Sequence, residues 1–122
     1  MKSIRTGIIL KTENFTECVG YYKNIIGLSI EFESAEGDFK MTQFDFGGSY
    51  LLVETGGISK PGGKNVLENP SVLRLDVEDI YQVASDFNKL NLEVQVDEYD
   101  WGNIIIIFDP DGNRIEFKEP KP

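Results

Sequence analysis

The chain has 122 residues, enough for one domain or two very small ones. Its 21 acidic and 12 basic residues give a formal net charge of −9, which argues against a nucleic-acid partner because phosphate backbones need clustered Lys and Arg. The chain contains no histidine, so His general bases, Ser-His-Asp triads and imidazole-based metal sites are excluded.

Three further features favour a cytoplasmic protein. No segment approaches the roughly 20 apolar residues that span a membrane, so we expect no membrane partner. The first residues, MKSIRTG, lack the apolar core of a secretion signal. Cys18 is the single cysteine, which excludes an internal disulfide and fits a reducing compartment. We expect Cys18 to be a small buried residue of a helix.

The first part of the chain predicts a strand, a helix and three more strands. Residues 4–10 have the pattern of a strand, and residues 11–14 supply N-cap types for a helix that should stop at Gly27. The apolar residues that recur at helical spacing are Phe15, Val19, Tyr22 and Ile26. The later strands are expected at 28–33, 39–46 and 50–54, with turns at 34–38 and 47–48.

Residues 56–71 predict a connection between two modules, 1–55 and 72–122. The segment is rich in Gly, Pro, Lys and Asn and has no hydrophobic periodicity. Its GGK triplet at 62–64 lacks the spacing and the strand–helix context of a P-loop. We therefore expect no phosphate-cradling loop here.

The second module predicts the same order of elements. A strand over 72–77 leads to a helix that opens at Glu78 and Asp79, where Asp79 and Gln82 resemble a capping box. The apolar stripe of this helix comprises Ile80, Val83, Phe87 and Leu90. A strand is expected over 92–96, followed by a turn at 97–100.

Residues 101–118, WGNIIIIFDPDGNRIEFK, predict a hairpin. The run at 104–108 is β-branched and short, as in a buried strand, and the DPDG turn at 109–112 places Pro and Gly where a tight turn favours them. Strand, helix and three strands thus recur after roughly 65 residues, which indicates duplicated modules. Each module should carry its helix on one face of a sheet.

These motifs resemble the glyoxalase / bleomycin-resistance / extradiol-dioxygenase superfamily, also called vicinal oxygen chelate proteins. The WG at 101–102 with DPDGNRIEF at 109–117 is similar to its C-terminal signature. The segments 14–28 and 77–80 are similar to the entries of its two helices. The resemblance implies an α+β fold in which two βαβββ modules form a cupped mixed sheet within a single domain of residues 1–122. It also implies a homodimer.

Metal-dependent relatives take one ligand from each of four strands. Carried over by the resemblance, those positions hold Gly7, Leu52, Val72 and Glu116, with Glu54 on the same strand face as Leu52. Two carboxylates without imidazole make a poor site for Zn²⁺, Ni²⁺ or Fe²⁺. We therefore expect no metal and no other cofactor.

Strand alternation places a mixed set of residues on the cleft face of the two modules. They are Gly7, Ile9, Tyr50, Leu52, Glu54, Val72, Arg74, Arg114 and Glu116. Glu116 has three interpretations: an ion pair with Arg74 or Arg114 in the vacant metal position, a hydrogen-bond partner of a ligand, or a general base.

Trp101 is the only tryptophan, and the resemblance implies that it lines a groove and stacks on a planar cationic drug. A lid over the sheet or a dimer contact is the alternative role. Positive charge from Arg74 and Arg114 on the cleft face argues against a cationic ligand.

Our hypothesis is a metal-free, homodimeric binding protein that sequesters a planar or amphipathic small molecule, such as an antibiotic. The ligand-binding residues would be Trp101, Tyr50, Glu54, Arg74, Arg114 and Glu116. The first alternative is a metal-independent lyase- or isomerase-type enzyme of the same fold that acts on a small carbonyl or aromatic substrate. A second alternative is an interaction module without a small ligand.

Overall fold

Eight strands form two four-stranded mixed sheets in the computed structural model, which describes residues 1–122. The sheets lie in two compact units, Met1–Lys60 and Pro61–Pro122. Each unit contains a strand, a helix and three strands in that order, which confirms the predicted α+β architecture of paired βαβββ modules. No helix in the chain combines the length and the apolar character needed to cross a membrane.

The first unit orders its strands β1-β4-β3-β2, with β1 parallel to β4 and the other pairs antiparallel. Its elements are β1 Gly7–Thr12, α1 Phe15–Gly20, a π-helical segment Tyr21–Ile26, β2 Ile30–Glu36, β3 Phe39–Phe46 and β4 Ser49–Thr55. Cys18 and Tyr22 are buried, as are Phe44, Leu51 and Val53 of the sheet. The Tyr22 and Phe44 rings lie 6.2 Å apart, so the helical segment covers one sheet face.

The predicted first helix ends where expected but changes its winding. Its second half, Tyr21–Ile26, is π-helical, and Gly27 closes it with a φ of 86°. The backbone N–H groups of Gly27 and Leu28 both donate to the Tyr22 carbonyl, a C-terminal arrangement that favours glycine. Asn14 occupies the N-cap position without a side-chain cap; instead, its N–H donates to Thr12 Oγ1.

The second unit orders its strands β5-β8-β7-β6, with β5 parallel to β8. Its elements are β5 Leu73–Asp76, α2 Ile80–Lys89, β6 Asp97–Tyr99, β7 Gly102–Phe108 and β8 Arg114–Pro120. Helix α2 packs on the sheet face that carries Ile105, Ile115 and Phe117, and the Phe87 ring meets the Phe117 ring edge-on at 5.2 Å. Burial of these side chains stabilises the packing of α2 on the sheet.

The predicted strand over residues 92–96 is wrong. The structure places β6 at Asp97–Tyr99 instead, within the expected turn. Residues 92–96 still alternate between half-buried and exposed, which explains the strand-like pattern, but they lie outside the ladder. Asn91, with a φ of 62°, and the Leu92 N–H bonded to the Phe87 carbonyl end α2 in a tight turn, so pairing begins only later.

Other boundaries shift by a few residues. Strand β1 begins at Gly7 and extends to Thr12, rather than covering 4–10, and β2 continues to Glu36 through part of the expected turn at 34–38. The capping box is only half formed: Asp79 accepts from the N–H groups of Tyr81 and Gln82, whereas the Gln82 amide donates to Asp86. The DPDG turn is confirmed, because the Gly112 N–H donates to the Asp109 carbonyl.

Asp79→Ala should lower the free energy of unfolding by about 1 kcal/mol and the Tm by about 4 °C, because two N–H groups of α2 lose their acceptor. Thermal unfolding followed by circular dichroism measures this shift. The control Glu78→Ala removes the adjacent carboxylate, which accepts no cap hydrogen bond, and should change stability by less than about 0.5 kcal/mol. Equal shifts in the two variants would contradict the capping role.

Candidate functional site

Along β7 and β8, the core residues that face α2 alternate with charged and apolar side chains. These alternate side chains lie on the sheet face opposite α2. The ladder pairs Arg74 with Glu116, Glu116 with Ile106, and Arg114 with Phe108. Because side chains alternate along a strand, these residues share one face. The face opposite α2 includes Arg74, Asp76, Asp97, Ile104, Ile106, Phe108, Arg114, Glu116 and Lys118.

Two arginines hold the Glu116 carboxylate from both sides. Arg74 donates to Oε1 from Nε at 3.1 Å and from Nη2 at 2.8 Å. Arg114 approaches Oε2 with Nε at 2.8 Å and Nη2 at 2.6 Å. The Glu116 side chain is 8% exposed, while those of the arginines are 45% and 42% exposed. A nearly buried carboxylate is thus neutralised by two cations that reach solvent. We call this group the arginine clamp.

The arginine clamp determines the protonation state of Glu116. Burial raises the pKa of this carboxyl, but the hydrogen bonds from Arg74 and Arg114, together with the two positive charges, outweigh burial and lower the pKa below its usual value. Glu116 is therefore ionised at neutral pH with both oxygens occupied. Among the interpretations of this residue, the geometry matches the ion pair.

Trp101 lies immediately before β7 and is stacked on a second aromatic ring. The Tyr99 and Trp101 rings are parallel within 3° and 4.9 Å apart, and Trp101 is 52% exposed. Lys118 Nζ lies 5.3 Å from the centre of the Trp101 ring, a cation–π distance. Since Lys118 lies two residues beyond Glu116 on the same strand, the aromatic pair borders the face opposite α2.

Tyr50 and Glu54 lie on β4 of the first unit, on the face opposite α1. Glu54 pairs with Lys11 across the parallel ladder, and the Tyr50 ring extends over Gly7, its register partner. A Cβ built on Gly7 would be 2.1 Å from the ring, so only glycine allows this position of Tyr50. Arg5 lies over the ring, 5.5 Å from its centre.

The structure thus divides the predicted site residues between two units. Arg74, Arg114 and Glu116 are in direct contact in the second unit, with Trp101 at the border of the same face. Sequence reasoning missed Lys118, although the alternation of Arg114, Glu116 and Lys118 along β8 could have shown that it shares their face. The predicted cleft residue Val72 lies just before β5.

The acidic residues are dispersed. No group of three or more His, Cys, Asp or Glu side chains lies where it could hold a metal ion. The absence of a metal from the protein remains a prediction. The arginine clamp itself is poorly suited to a cation, because two guanidinium groups occupy the carboxylate oxygens that a metal would need.

Sequence comparison decides the family. Residues 8–117 match the model of the Glyoxalase/Bleomycin resistance protein/Dioxygenase superfamily. The chain belongs to this superfamily. The match covers most of both βαβββ units of this superfamily member and includes the face opposite α2 except Lys118. Among curated protein sequences, none matches this superfamily member significantly.

Several solved structures share the fold at low sequence identity. A glyoxalase family protein from Enterococcus faecalis has a TM-score of 0.73 and 20% identity, covering 97% of this chain and 98% of that chain. The lactoylglutathione lyase from Agrobacterium tumefaciens has a TM-score of 0.72 and 17% identity, covering 98% of this chain and 95% of that chain. TnmS3, an antibiotic binding protein from Streptomyces sp. CB03234, has 0.70 and 16%, covering 98% of both chains.

Glu116→Gln should reduce stability at neutral pH and make the loss pH-dependent. A lowered pKa contributes stability that is present above the unfolded-state value of about 4.3 and is lost as the pH falls through the folded-state value. The Tm difference between the native protein and the variant should therefore narrow from about pH 6 to about pH 3.

Glu93→Gln is the matched control, because Glu93 is exposed and lies outside the strands and helices. Its Tm should stay close to that of the native protein across the same range. A pH-independent difference for Glu116→Gln would contradict the ionised arginine clamp.

Proposed function

We propose that this superfamily member is a metal-free binding protein that sequesters a small planar or amphipathic molecule, with an antibiotic as the leading class. In this proposal the protein acts as a homodimer in the cytoplasm, and its two modules form a single functional domain. Binding is stoichiometric, and no bond of the ligand is broken. The predicted ligand-binding residues are Trp101, Arg74, Arg114 and Glu116 of the second unit and Tyr50 and Glu54 of the first unit.

The arginine clamp is the observation that carries this proposal. A carboxylate with a lowered pKa and four short contacts to two guanidinium groups is a weak proton acceptor. Glu54 is likewise paired with Lys11. Both carboxylates that the enzymatic alternative would use are therefore engaged, which favours binding over turnover.

The charge of the arginine clamp narrows the ligand class. Arg74 and Arg114 supply two positive charges against the single negative charge of Glu116, whereas Lys118 of the same face has Asp76 as its register partner. A flat ligand with an anionic or electron-rich edge suits this surface better than a polycation, because the exposed guanidinium edges can donate hydrogen bonds to it. The aromatic pair at the border offers a stacking surface. TnmS3, an antibiotic binding protein with the same fold, supports a ligand-binding role.

Trp101 is the only tryptophan, so its fluorescence reports directly on ligand binding at the border of the face. Titration with anthraquinone-2-carboxylate should quench this fluorescence with a Kd of about 10 µM, and bleomycin should bind more weakly because it is cationic. Arg74→Met should weaken anthraquinone-2-carboxylate binding by about tenfold. Lys23→Met, an exposed cation of the first unit, is the control and should leave the Kd unchanged.

The sequestering function would be contradicted if neither compound quenched the fluorescence and if expression of the protein did not protect cells against an antibiotic. Only the fold assignment would then stand. Equal affinities of the Arg74→Met and Lys23→Met variants would show that the arginine clamp does not contact the ligand.

Elemental analysis tests the metal-free part of the proposal independently. Protein purified without chelators should contain far less than one equivalent of zinc, nickel, iron or manganese. Its Tm should not change on addition of these ions, because binding to the native state would raise it. A stoichiometric transition metal would overturn this part of the proposal.

A further inference from the structure

A cavity of about 170 Å³ lies entirely within the second unit, between residues 64–72 and the hairpin of β7 and β8. We call residues 64–72 the connecting segment. The cavity lining consists of Lys64, Asn65, Val66, Asn69, Pro70, Ser71, Val72, Phe108 and Arg114. Given about 30 Å³ for a water molecule, the space suits a molecule of several heavy atoms rather than a single water.

The connecting segment is attached to the hairpin by specific hydrogen bonds. The Lys64 backbone N–H donates to the Gly112 carbonyl at 2.8 Å. The Lys64 ammonium and the Asn69 amide both donate to Asn113 Oδ1, at 3.1 Å and 2.8 Å. Asn113 itself is 3% exposed and donates to Asp109. The cavity wall is therefore built on a buried amide.

The cavity lining combines positively charged and apolar side chains. Two cations, Lys64 and Arg114, line it, and no Asp or Glu does, in a chain with 21 acids and 12 bases. Lys64 donates one side-chain hydrogen bond, to an amide, which leaves two of its three ammonium donors. Arg114 uses Nε and Nη2 for Glu116, so its Nη1 group is not engaged by the arginine clamp.

The apolar part of the lining is supplied by Val66, Pro70, Val72 and Phe108. Apolar side chains beside a few convergent polar groups are a lining typical of small-molecule sites. The long-range field of the net charge is screened beyond about 8 Å at physiological salt, so the two nearby cations determine the local preference.

We propose that this cavity is a binding site for a small carboxylate with a compact apolar body. The carboxylate contacts Lys64 and Arg114, and the apolar body packs against Val66, Val72 and Phe108. Because Arg114 also holds Glu116, an occupant of the cavity contacts the arginine clamp from the side of the connecting segment. The site shares Arg114 and Phe108 with the face opposite α2, and the amide signals of residues 64–72 distinguish occupancy of the cavity from binding on that face.

Benzoate is the probe, and benzamide is its neutral isostere. Titration of the nitrogen-15-labelled chain at constant ionic strength should move amide signals of residues 64–72, 108 and 114, with a Kd of about 1 mM for benzoate. Benzamide should bind about tenfold more weakly, because it lacks the charge that the two cations recognise. Equal binding of the two probes would overturn the proposal. Signal changes confined to other residues, or none up to about 20 mM benzoate, would also overturn it.

Adjacent residues of the connecting segment provide a matched pair of variants. Val66 lines the cavity and is 72% exposed, whereas Leu67 does not line it and is 91% exposed, so both positions should accept glutamate without unfolding. Val66→Glu should weaken benzoate binding by about tenfold through like-charge repulsion, and Leu67→Glu by less than about twofold. Equal affinities of the two variants would exclude the cavity as the benzoate site, and unchanged amide signals elsewhere would verify their fold.

Discussion

The ion pairs of Glu116 are the constraint on which the site depends. A carboxylate that is 8% exposed would be costly without partners, and the parallel register of β5 and β8 places Arg74 directly beside it. Arg114 reaches the second oxygen from the same strand. Removing either arginine would leave part of a buried charge unsatisfied, so the polarity of this sheet face is coupled to the pairing of its strands.

The two units share a framework but differ at this position. Six residues before the first helix lies Ile9, and six residues before α2 lies Arg74. Ile9 pairs with Leu52 across its parallel ladder, whereas Arg74 pairs with Glu116. The same backbone arrangement thus carries an apolar pair in one unit and an ion pair in the other. Side-chain identity, rather than topology, distinguishes the chemistry of the two sheets.

Sequence periodicity predicted the element order and the helix ends, because Gly27 and Asp79 act through local backbone geometry. It failed over residues 92–96, where alternating half-burial occurs without ladder hydrogen bonds, a distinction that depends on tertiary pairing. Strand alternation also predicted that Arg74, Arg114 and Glu116 share a face. It could not predict the cavity beside Arg114, which depends on how a segment without periodicity folds onto the hairpin.

The packing around Gly7 restricts the side chains that this position can accept. The Tyr50 ring fills the space that a side chain at this residue would need. A larger residue there would have to displace an aromatic ring that is already engaged with Arg5. Because Gly7 and Tyr50 face each other on neighbouring strands, any evolutionary or designed change at one of them constrains the other.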